Sequence, residues 1–401
     1  MSFDLISLPL SEIATFKYGK TIRKQDIEDA GLYPVHSGYT TVGYLPSYMY
    51  EEPQLMIVCR GAGGTGDIKM SPPKVSITNL AIVITCDESK VCKDYLYWVL
   101  KLADTYSLRT GSAQPQITIN SLDSFNVVIH QDLSMQRSIA DFLDKLDLKI
   151  GLNSQTNQTL EQMAQAIFKS WFVDFDPVKA KMNGELPEGM DAATASLFPE
   201  KLVESELGLI PEGWEAVQIG DIVERLKPKK RYTKKQVEPY GKTPVYEQGA
   251  SILLGFHNDD AGFDASPEEP VFIFGDHTCI THLSCSKFDI SSNVIPLKGS
   301  IRPTIWTYYA IQGKQEFQEY RRHWSEFIIK GVVLPPIELA EKYAELVTTN
   351  YLMMESLKRQ SKELEQLRDT LLPKLLSGEI ELGATEAMEP SLVSSPIEQY
   401  L

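Results

Sequence analysis

Two stretches decide how this chain folds. They are Leu160-Glu-Gln-Met-Ala-Gln-Ala-Ile-Phe-Lys-Ser-Trp-Phe and, 204 positions later, Leu364-Glu-Gln-Leu-Arg-Asp-Thr-Leu-Leu-Pro-Lys-Leu-Leu. The same offset carries Ala140 onto Ala344, so the match reaches back into Asp132-Leu-Ser-Met-Gln-Arg-Ser-Ile-Ala-Asp-Phe-Leu and Glu338-Leu-Ala-Glu-Lys-Tyr-Ala-Glu-Leu. A repeat this long is a whole domain plus a helix, duplicated, rather than a solenoid unit. A duplicated reader with two helical spacers suits recognition of two separated sites on one ligand.

Both stretches carry apolar residues at three- and four-residue spacing. The first runs through Ile139, Leu143, Leu146 and Ile150, is interrupted by Asn153 and Asn157, and resumes at Leu160, Ala164, Ile167 and Trp171. The second runs through Tyr343, Val347, Asn350, Met354, Leu357, Leu364, Leu371 and Leu375. This is the seam of a coiled coil with polar interruptions, and asparagines on such a seam fix register. A helix lying on a globular core would carry a similar stripe, but the length, the recurrence and the scarcity of breakers favour a helix pair. The helix-pair interface is accordingly assigned to Ile139, Leu143, Leu146, Ile150, Leu160, Ile167, Val347, Met354, Leu357, Leu364 and Leu371. At 1.5 Å per residue, ~40 residues make a rod of roughly 60 Å.

Outward from the helices, residues 1–131 and 216–335 read as two α/β (α+β) domains of similar order. In the first, Leu8-Pro-Leu-Ser-Glu-Ile-Ala looks like a strand or turn entering a helix, and β-branched runs follow at 54–59, 75–78, 80–85 and 125–129. Asp94-Tyr-Leu-Tyr-Trp opens a helix, answered by Ile305-Trp-Thr-Tyr-Tyr; likewise Pro53-Gln-Leu-Met-Ile-Val is answered by Pro270-Val-Phe-Ile-Phe. The expected organisation is a first recognition domain (1–131), a first spacer helix (132–173), a Pro-, Gly- and Glu-rich connector (174–215), a second recognition domain (216–335), a second spacer helix (336–378) and an acidic frayed tail (379–401). The fold class is thus duplicated globular α/β (α+β) domains separated by two long coiled-coil helices, with a pseudo-twofold repeat. The domains differ most in their loops, where recognition resides.

The 401 residues carry a net charge of −15, which at first argues against a nucleic-acid partner. The distribution reverses that. Residues 174–224 hold twelve acidic and three basic residues, and residues 379–401 hold five acidic and no basic ones, so the remainder is close to neutral. Local field decides whether a surface attracts phosphate. The densest basic run is Arg225-Leu-Lys-Pro-Lys-Lys-Arg-Tyr-Thr-Lys-Lys, seven cations in eleven positions. Its counterpart is Phe16-Lys-Tyr-Gly-Lys-Thr-Ile-Arg-Lys. Candidate phosphate contacts are therefore Lys17, Lys20, Arg23 and Lys24 in the first domain, and Arg225, Lys227, Lys229, Lys230, Arg231, Lys234 and Lys235 in the second. Arg60, Arg109, Gln114 and Gln116, and in the second domain Arg321, Arg322 and His323, are candidates for contact with DNA, where arginine suits guanine and glutamine suits adenine.

Other chemistry is weaker. Gly61-Ala-Gly-Gly-Thr-Gly matches G-x-G-x-x-G, but Asp67-Ile-Lys-Met-Ser-Pro-Pro follows where a helix is needed, so a turn between strands is expected. Asp276, His277, Cys279, His282 and Cys285 have no standard zinc spacing and fall on a strand whose alternation divides them between faces, so no metal is expected. The sequence contains no phosphate loop, no methylation motif of the D/NPPY/F type, no G-x-S-x-G and no HExxH. No residue set looks catalytic. No apolar run approaches the roughly 18 residues of a spanning helix, no signal peptide is visible, and five scattered cysteines fit a reducing cytoplasm.

With these features together the chain resembles the specificity subunits of type I restriction–modification enzymes. The resemblance rests on Trp171-Phe-Val-Asp-Phe-Asp-Pro-Val, Leu186-Pro-Glu-Gly-Met-Asp-Ala-Ala-Thr, Leu197-Phe-Pro, Ser205-Glu-Leu-Gly-Leu-Ile-Pro-Glu-Gly-Trp and Leu371-Leu-Pro-Lys-Leu-Leu-Ser-Gly-Glu-Ile. It implies a non-catalytic subunit whose two target recognition domains each read one half of a split, asymmetric sequence in double-stranded DNA. It implies an antiparallel pair of helices that holds the domains apart, sets the unread gap and, with the connector, docks two modification subunits. S-adenosylmethionine, ATP and Mg would then act through the modification and restriction subunits, with no cofactor in this chain. A stand-alone methyltransferase built on the 61–66 glycines, or a coiled-coil adaptor binding only protein, are the alternatives.

Overall fold

The computed structural model describes residues 5–61, 64–111 and 114–382. They divide into two compact units. The first comprises residues up to Ile150 together with those from Lys362 onward; the second runs from Gly151 to Ser361. The division falls within the long helices rather than at their ends, because each helix half is part of the core beside it.

Among the described residues of the first unit nine strands form three small sheets. They are β1 (Leu5–Pro9), β2 (Ala14–Tyr18), β3 (Tyr33–His36), β4 (Thr41–Leu45), β5 (Leu55–Val58), β6 (Ile68–Met70), β7 (Ser76–Ile77), β8 (Ala81–Cys86) and β9 (Asn126–His130). Their orders are β1-β9, β2-β8-β5-β6 and β4-β3-β7. β5 and β8 are buried on both faces, which is why Leu55-Met-Ile-Val and Ala81-Ile-Val-Ile read as continuous apolar runs. The helix expected to follow Leu8-Pro is absent. A single 3-10 turn at Leu10–Glu12 leads directly into β2, whose side chains alternate between Ala14, Phe16 and Tyr18 inward and Thr15 and Lys17 outward. That period of two is incompatible with a helix face.

The second unit opens with the hairpin β10 (Leu202–Ser205) and β11 (Gly208–Pro211) and then repeats the plan. Its strands are β12 (Glu215–Gln218), β13 (Val223–Arg225), β14 (Arg231–Tyr232), β15 (Thr243–Tyr246), β16 (Leu253–His257), β17 (Val271–Gly275), β18 (Thr281–Ser284), β19 (Asp289–Ser291), β20 (Val294–Gly299) and β21 (Gly331–Leu334). The orders β12-β21, β13-β20-β17-β18 and β14-β19-β15-β16 match those of the first unit, except that β14 is a strand where the first unit has only the Lys20–Thr78 bridge. The match extends to backbone detail. The β3–β4 and β15–β16 hairpins both carry a register shift, at Val35/His36 and Val245/Tyr246. Each has a positive-φ glycine on the partner strand, Gly43 (φ 143°) and Gly255 (φ 154°). A Cβ at Gly43 would lie 2.2 Å from Ile27 Cγ2, and one at Gly255 would lie 2.8 Å from Val237 Cγ2, so only glycine permits these approaches.

The long helices span Leu133–Phe172 and Ile337–Leu376. They pack against each other within each unit, early half against late half, and so run antiparallel. In the first unit Ile139, Ala140 and Leu143 share a core with Leu372, Leu375 and Leu376, while Leu371 is packed at its edge. The carboxylate of Asp147 is paired with Arg368. In the second unit Ala164 and Phe168 meet Tyr343, Val347, Tyr351 and Met354, with Leu160 and Ile167 partly buried against them. Leu146, Ile150, Leu357 and Leu364 are half-buried. Asn153 does what a seam asparagine is expected to do: its amide donates to Gln360 Oε1 at 2.9 Å and Ser361 Oγ at 3.2 Å.

Residues 174–215 are not a loose connector. Helices at Asp176–Met182 and Ala192–Ser196 and the β10–β11 hairpin fold onto the second unit. Phe175, Val178, Phe198 and Trp214 are buried there beside Trp171 and Phe172. The composition is loop-like, but these apolar residues bury enough surface to order it. Of the expected tail only residues 379–382 are described, and the rest lies outside the described residues.

Each unit fastens a short helix to the first long helix. In the first unit the helix Lys93–Leu102 presents Trp98, whose indole N–H donates to Asp144 at 2.7 Å. In the second unit the helix Thr304–Ile311 presents Tyr309, which donates to Glu161 at 2.9 Å; Tyr351 of the second long helix donates to the other oxygen of Glu161 at 2.7 Å.

Candidate nucleic-acid interface

The two basic runs occupy the same place in the fold, after the edge strands β2 and β13 of the corresponding four-stranded sheets. In the first unit Lys17, Lys20, Arg23 and Lys24 are all exposed. Lys20 sits in a parallel bridge to Thr78, and Asn79 donates to Thr21 Oγ1 at 3.2 Å, which fixes the start of the loop.

The second loop is held more firmly, and its cations divide into two kinds. Arg231 is turned inward: its Nη1 donates to the carbonyls of Ser291 at 2.7 Å and Val294 at 2.8 Å. Its guanidinium is half-buried and serves the protein's own backbone, so Arg231 leaves the set of phosphate contacts. Arg225, Lys227, Lys229, Lys234 and Lys235 remain exposed. Lys230 lies over the Tyr232 ring at 4.2 Å and pairs with Asp259 at 3.3 Å; the bond to Asp259 is the main cause that raises its pKa. Tyr232 itself stacks on His257, with ring centroids 4.1 Å apart. His257 Nδ1 receives the Asp259 N–H at 3.1 Å, so Nε2 carries the ring proton and donates to buried Asp289 at 3.0 Å. The basic loop thus stands on a buried Tyr–His–Asp support.

The arginine and glutamine candidates of the first unit lie close together. Arg60 is half-buried with its guanidinium 5.3 Å over Tyr18, and it pairs in a backbone bridge with Gln116. Arg109, Gln114 and Gln116 are exposed. Their counterparts in the second unit behave differently. His323 is fully buried at 0% exposure and packs among Asp276, Glu319 and Glu326, so it cannot reach DNA in this fold. Arg321 is paired with both Glu319 and Glu326. Arg322, 79% exposed and 3.8 Å from Asp276, is the cation of that trio most open to a ligand.

Of the glycine stretch between β5 and β6, the described part is closed by Gly66 N–H to Val58 O at 2.8 Å and Asp67 N–H to Gly64 O at 2.8 Å. Ala62 and Gly63 lie outside the described residues. A strand, Ile68–Met70, follows where a dinucleotide site needs a helix. Among the described residues no group of three or more His, Cys, Asp or Glu side chains is arranged to hold a metal. His282 is instead packed edge-on against Tyr246, and burial pulls its pKa down to about 4. Burial pushes the Cys285 thiol up to about 12. Asp276 accepts the backbone N–H groups of His323 and Trp324 at 3.2 and 3.0 Å.

Residues 7–162 match the family described as type I restriction modification DNA specificity domain. The specificity subunit of the type I restriction enzyme HindI from Haemophilus influenzae is 28% identical over 331 residues, covering 66% of this chain and 71% of that protein. The specificity subunit of the MjaIX enzyme from Methanocaldococcus jannaschii is 22% identical over 328 residues, covering 72% of this chain and 69% of that one. Residues 7–162 thus match a DNA specificity domain, and about two thirds of the chain is similar to type I restriction enzyme specificity subunits. Its fold is also that of a solved relative: the S subunit of a type I restriction–modification system from M. genitalium superposes with a TM-score of 0.59 at 14% identity, covering 94% of this chain and 96% of that one.

The sequence does not reveal the supports beneath the candidate contacts: His257 and Asp289 under the second basic loop, Tyr39, which donates to Arg60 O at 2.9 Å, and Tyr106, whose ring lies 4.2 Å from the Arg109 guanidinium. A buried histidine beside an aspartate 32 residues away leaves no local pattern. Tyr106 does give a usable signal, because it lies three positions before the candidate Arg109, whereas Tyr39 is far in sequence from every candidate cation.

Proposed function

We propose that this chain is the DNA sequence-specificity subunit of a type I restriction–modification complex and has no catalytic role of its own. The observation that carries the reading is the pair of exposed basic loops, Lys17–Lys24 and Arg225–Lys235, at matching positions of two units that share one topology. Each unit, on this reading, places cations against the phosphates of one half of a bipartite target, and the loops beside them read bases. The antiparallel helices set the unread gap. Helices and connector together dock two modification subunits, which bring S-adenosylmethionine, while restriction subunits bring ATP- and Mg-dependent translocation and cleavage. Work on host DNA places the complex in the cytoplasm; no helix of the described residues is long and apolar enough to cross a membrane.

A stand-alone methyltransferase is disfavoured by the strand that follows the glycine turn, and a protein-only adaptor by the paired basic loops. The test is methylation mapping by long-read sequencing of a host carrying this chain with its cognate modification subunit, against a host lacking only this chain. A split motif methylated in both halves, present only with this chain, is the expected result. No new motif from an assembled complex would refute the reading.

A further inference from the structure

Backbone pairing in the first unit brings three distant residues into one row. Arg60 bridges to Gln116, and Gln116 bridges to Thr110, both antiparallel. The second bridge is closed by Thr110 N–H to Gln116 O at 2.8 Å and Gln116 N–H to Thr110 O at 2.9 Å. Residues directly opposite across an antiparallel ladder put their side chains on the same face. With neighbouring strands ~4.8 Å apart, Arg60, Gln116 and Thr110 therefore share one face over roughly 10 Å. Gln116 and Thr110 are exposed on it.

Arg109, next to Thr110, is held at several points. Its Nε donates to Thr65 O at 2.5 Å, and its guanidinium lies 4.2 Å over the Tyr106 ring. Tyr106 is anchored in turn by its hydroxyl, which donates to Asp67 Oδ1 at 2.5 Å. Thr105 Oγ1 donates to Gly66 O at 2.7 Å, and Tyr39 donates to Arg60 O at 2.9 Å, so the glycine turn is pinned from two sides. Among the described residues the two outer nitrogens of Arg109 have no partner. A guanidinium fixed through Nε and stacked on one face presents those two nitrogens as a preset fork. Such a fork matches O6 and N7 of guanine, and a glutamine amide matches N6 and N7 of adenine.

We propose that this row and the Arg109 fork beside it form the base-reading edge for the first half-site, with Arg109 taking a guanine, Gln116 taking an adenine, and Tyr106 and Asp67 acting as positioning residues for Arg109. The inference rests on the DNA-specificity reading above. The corresponding loop of the second unit is built differently: it spends Asp276 on backbone N–H groups and Arg321 on Glu319 and Glu326, and leaves Arg322 exposed with no aromatic ring beneath it among the described residues. The two half-sites are therefore read by different chemistry.

The experiment uses the full chain with its cognate modification subunit and maps the methylated motif of each variant. Arg109→Lys keeps the charge and loses the fork, so one guanine position of one half-site should relax, with discrimination falling about ten- to hundredfold. Gln116→Ala should relax an adenine position in that same half-site. Tyr106→Phe keeps the ring and loses the bond to Asp67, so it should loosen the same position as Arg109→Lys, less strongly. The other half-site and the thermal midpoint should not move. An unchanged motif in both Arg109→Lys and Gln116→Ala, or equal relaxation of both halves, would overturn the inference while leaving the reading intact. A wild-type complex that leaves no split motif would overturn the reading, and the inference with it.

Discussion

The two units fasten themselves to the first long helix in different ways. In the first, one neutral donor meets one carboxylate: the Trp98 indole donates to Asp144, whose pKa is raised by burial and brought partly back by that bond. In the second, Glu161 receives Tyr309 and Tyr351 on separate oxygens, which brings the two hydroxyl oxygens to 2.8 Å from each other. Burial, then the charge of Glu161, pushes the Tyr309 hydroxyl well above its ordinary range. A duplicated scaffold thus keeps the place of the fastening and changes its chemistry. The first joint carries a charge it does not need; the second is built around one.

Glu161→Ala is the strongest way to test that contrast. It removes the acceptor of two buried hydroxyls, of which only one can then donate to the other, and should cost about 2 kcal/mol, read as an early transition of the second unit in denaturant unfolding. A loss below about 1 kcal/mol would make the two joints equivalent.

Neutralising Lys227, Lys229 and Lys230 should weaken binding across all DNA sequences. It should lower the log–log salt slope by about three, measured by titration at several salt concentrations. The matching change at Lys17, Lys20 and Lys24 should have a similar effect. If only one of the two sets matters, phosphate contact is not shared between the units.

The smallest effect belongs to Asp144→Asn, which keeps an acceptor for Trp98 and removes a desolvated charge. At pH 7 it should be neutral or stabilising by up to about 1 kcal/mol. The sign with pH follows from the raised pKa. Asp144 favours the folded state most below its ordinary value, and that contribution is lost as pH rises through the raised folded value. The Asn variant should therefore lose less stability than the wild type between about pH 3 and 6, the window around an ordinary aspartate value. Parallel curves would remove Asp144 as the charged weak point.

Much of this is legible in the sequence. The ends of the long helices can be read to within a residue or two, because an extended 3-4 apolar stripe repeated at a fixed offset fits a helix pair and little else. The central strands are legible because two-sided burial makes apolar runs. The helix expected after Leu8-Pro fails because a short amphipathic segment can be read with a period of three to four when its true period is two. The exposed basic residues follow from composition, but composition cannot tell Lys229, which faces solvent, from Arg231, which binds Ser291 and Val294 carbonyls. His323 misleads for a similar reason: it follows two arginines and looks like their partner, yet it fills the interior.

The way the chain is apportioned has a consequence for how it comes to be folded. The second unit is one continuous stretch, whereas the first draws on residues from Lys362 onward. Its core includes Leu372, Leu375 and Leu376, and the buried His130 ring bonds the Leu375 carbonyl at 3.0 Å. During synthesis from the amino end, the first unit emerges early but lacks part of its core until more than 200 further residues have been made. The second unit has all its parts before that moment. Domains fold as units once their contacts are available, and long-range contacts form late. The part of the chain made first is therefore expected to be completed last, and its unfinished apolar surface marks the period in which the nascent chain most needs protection.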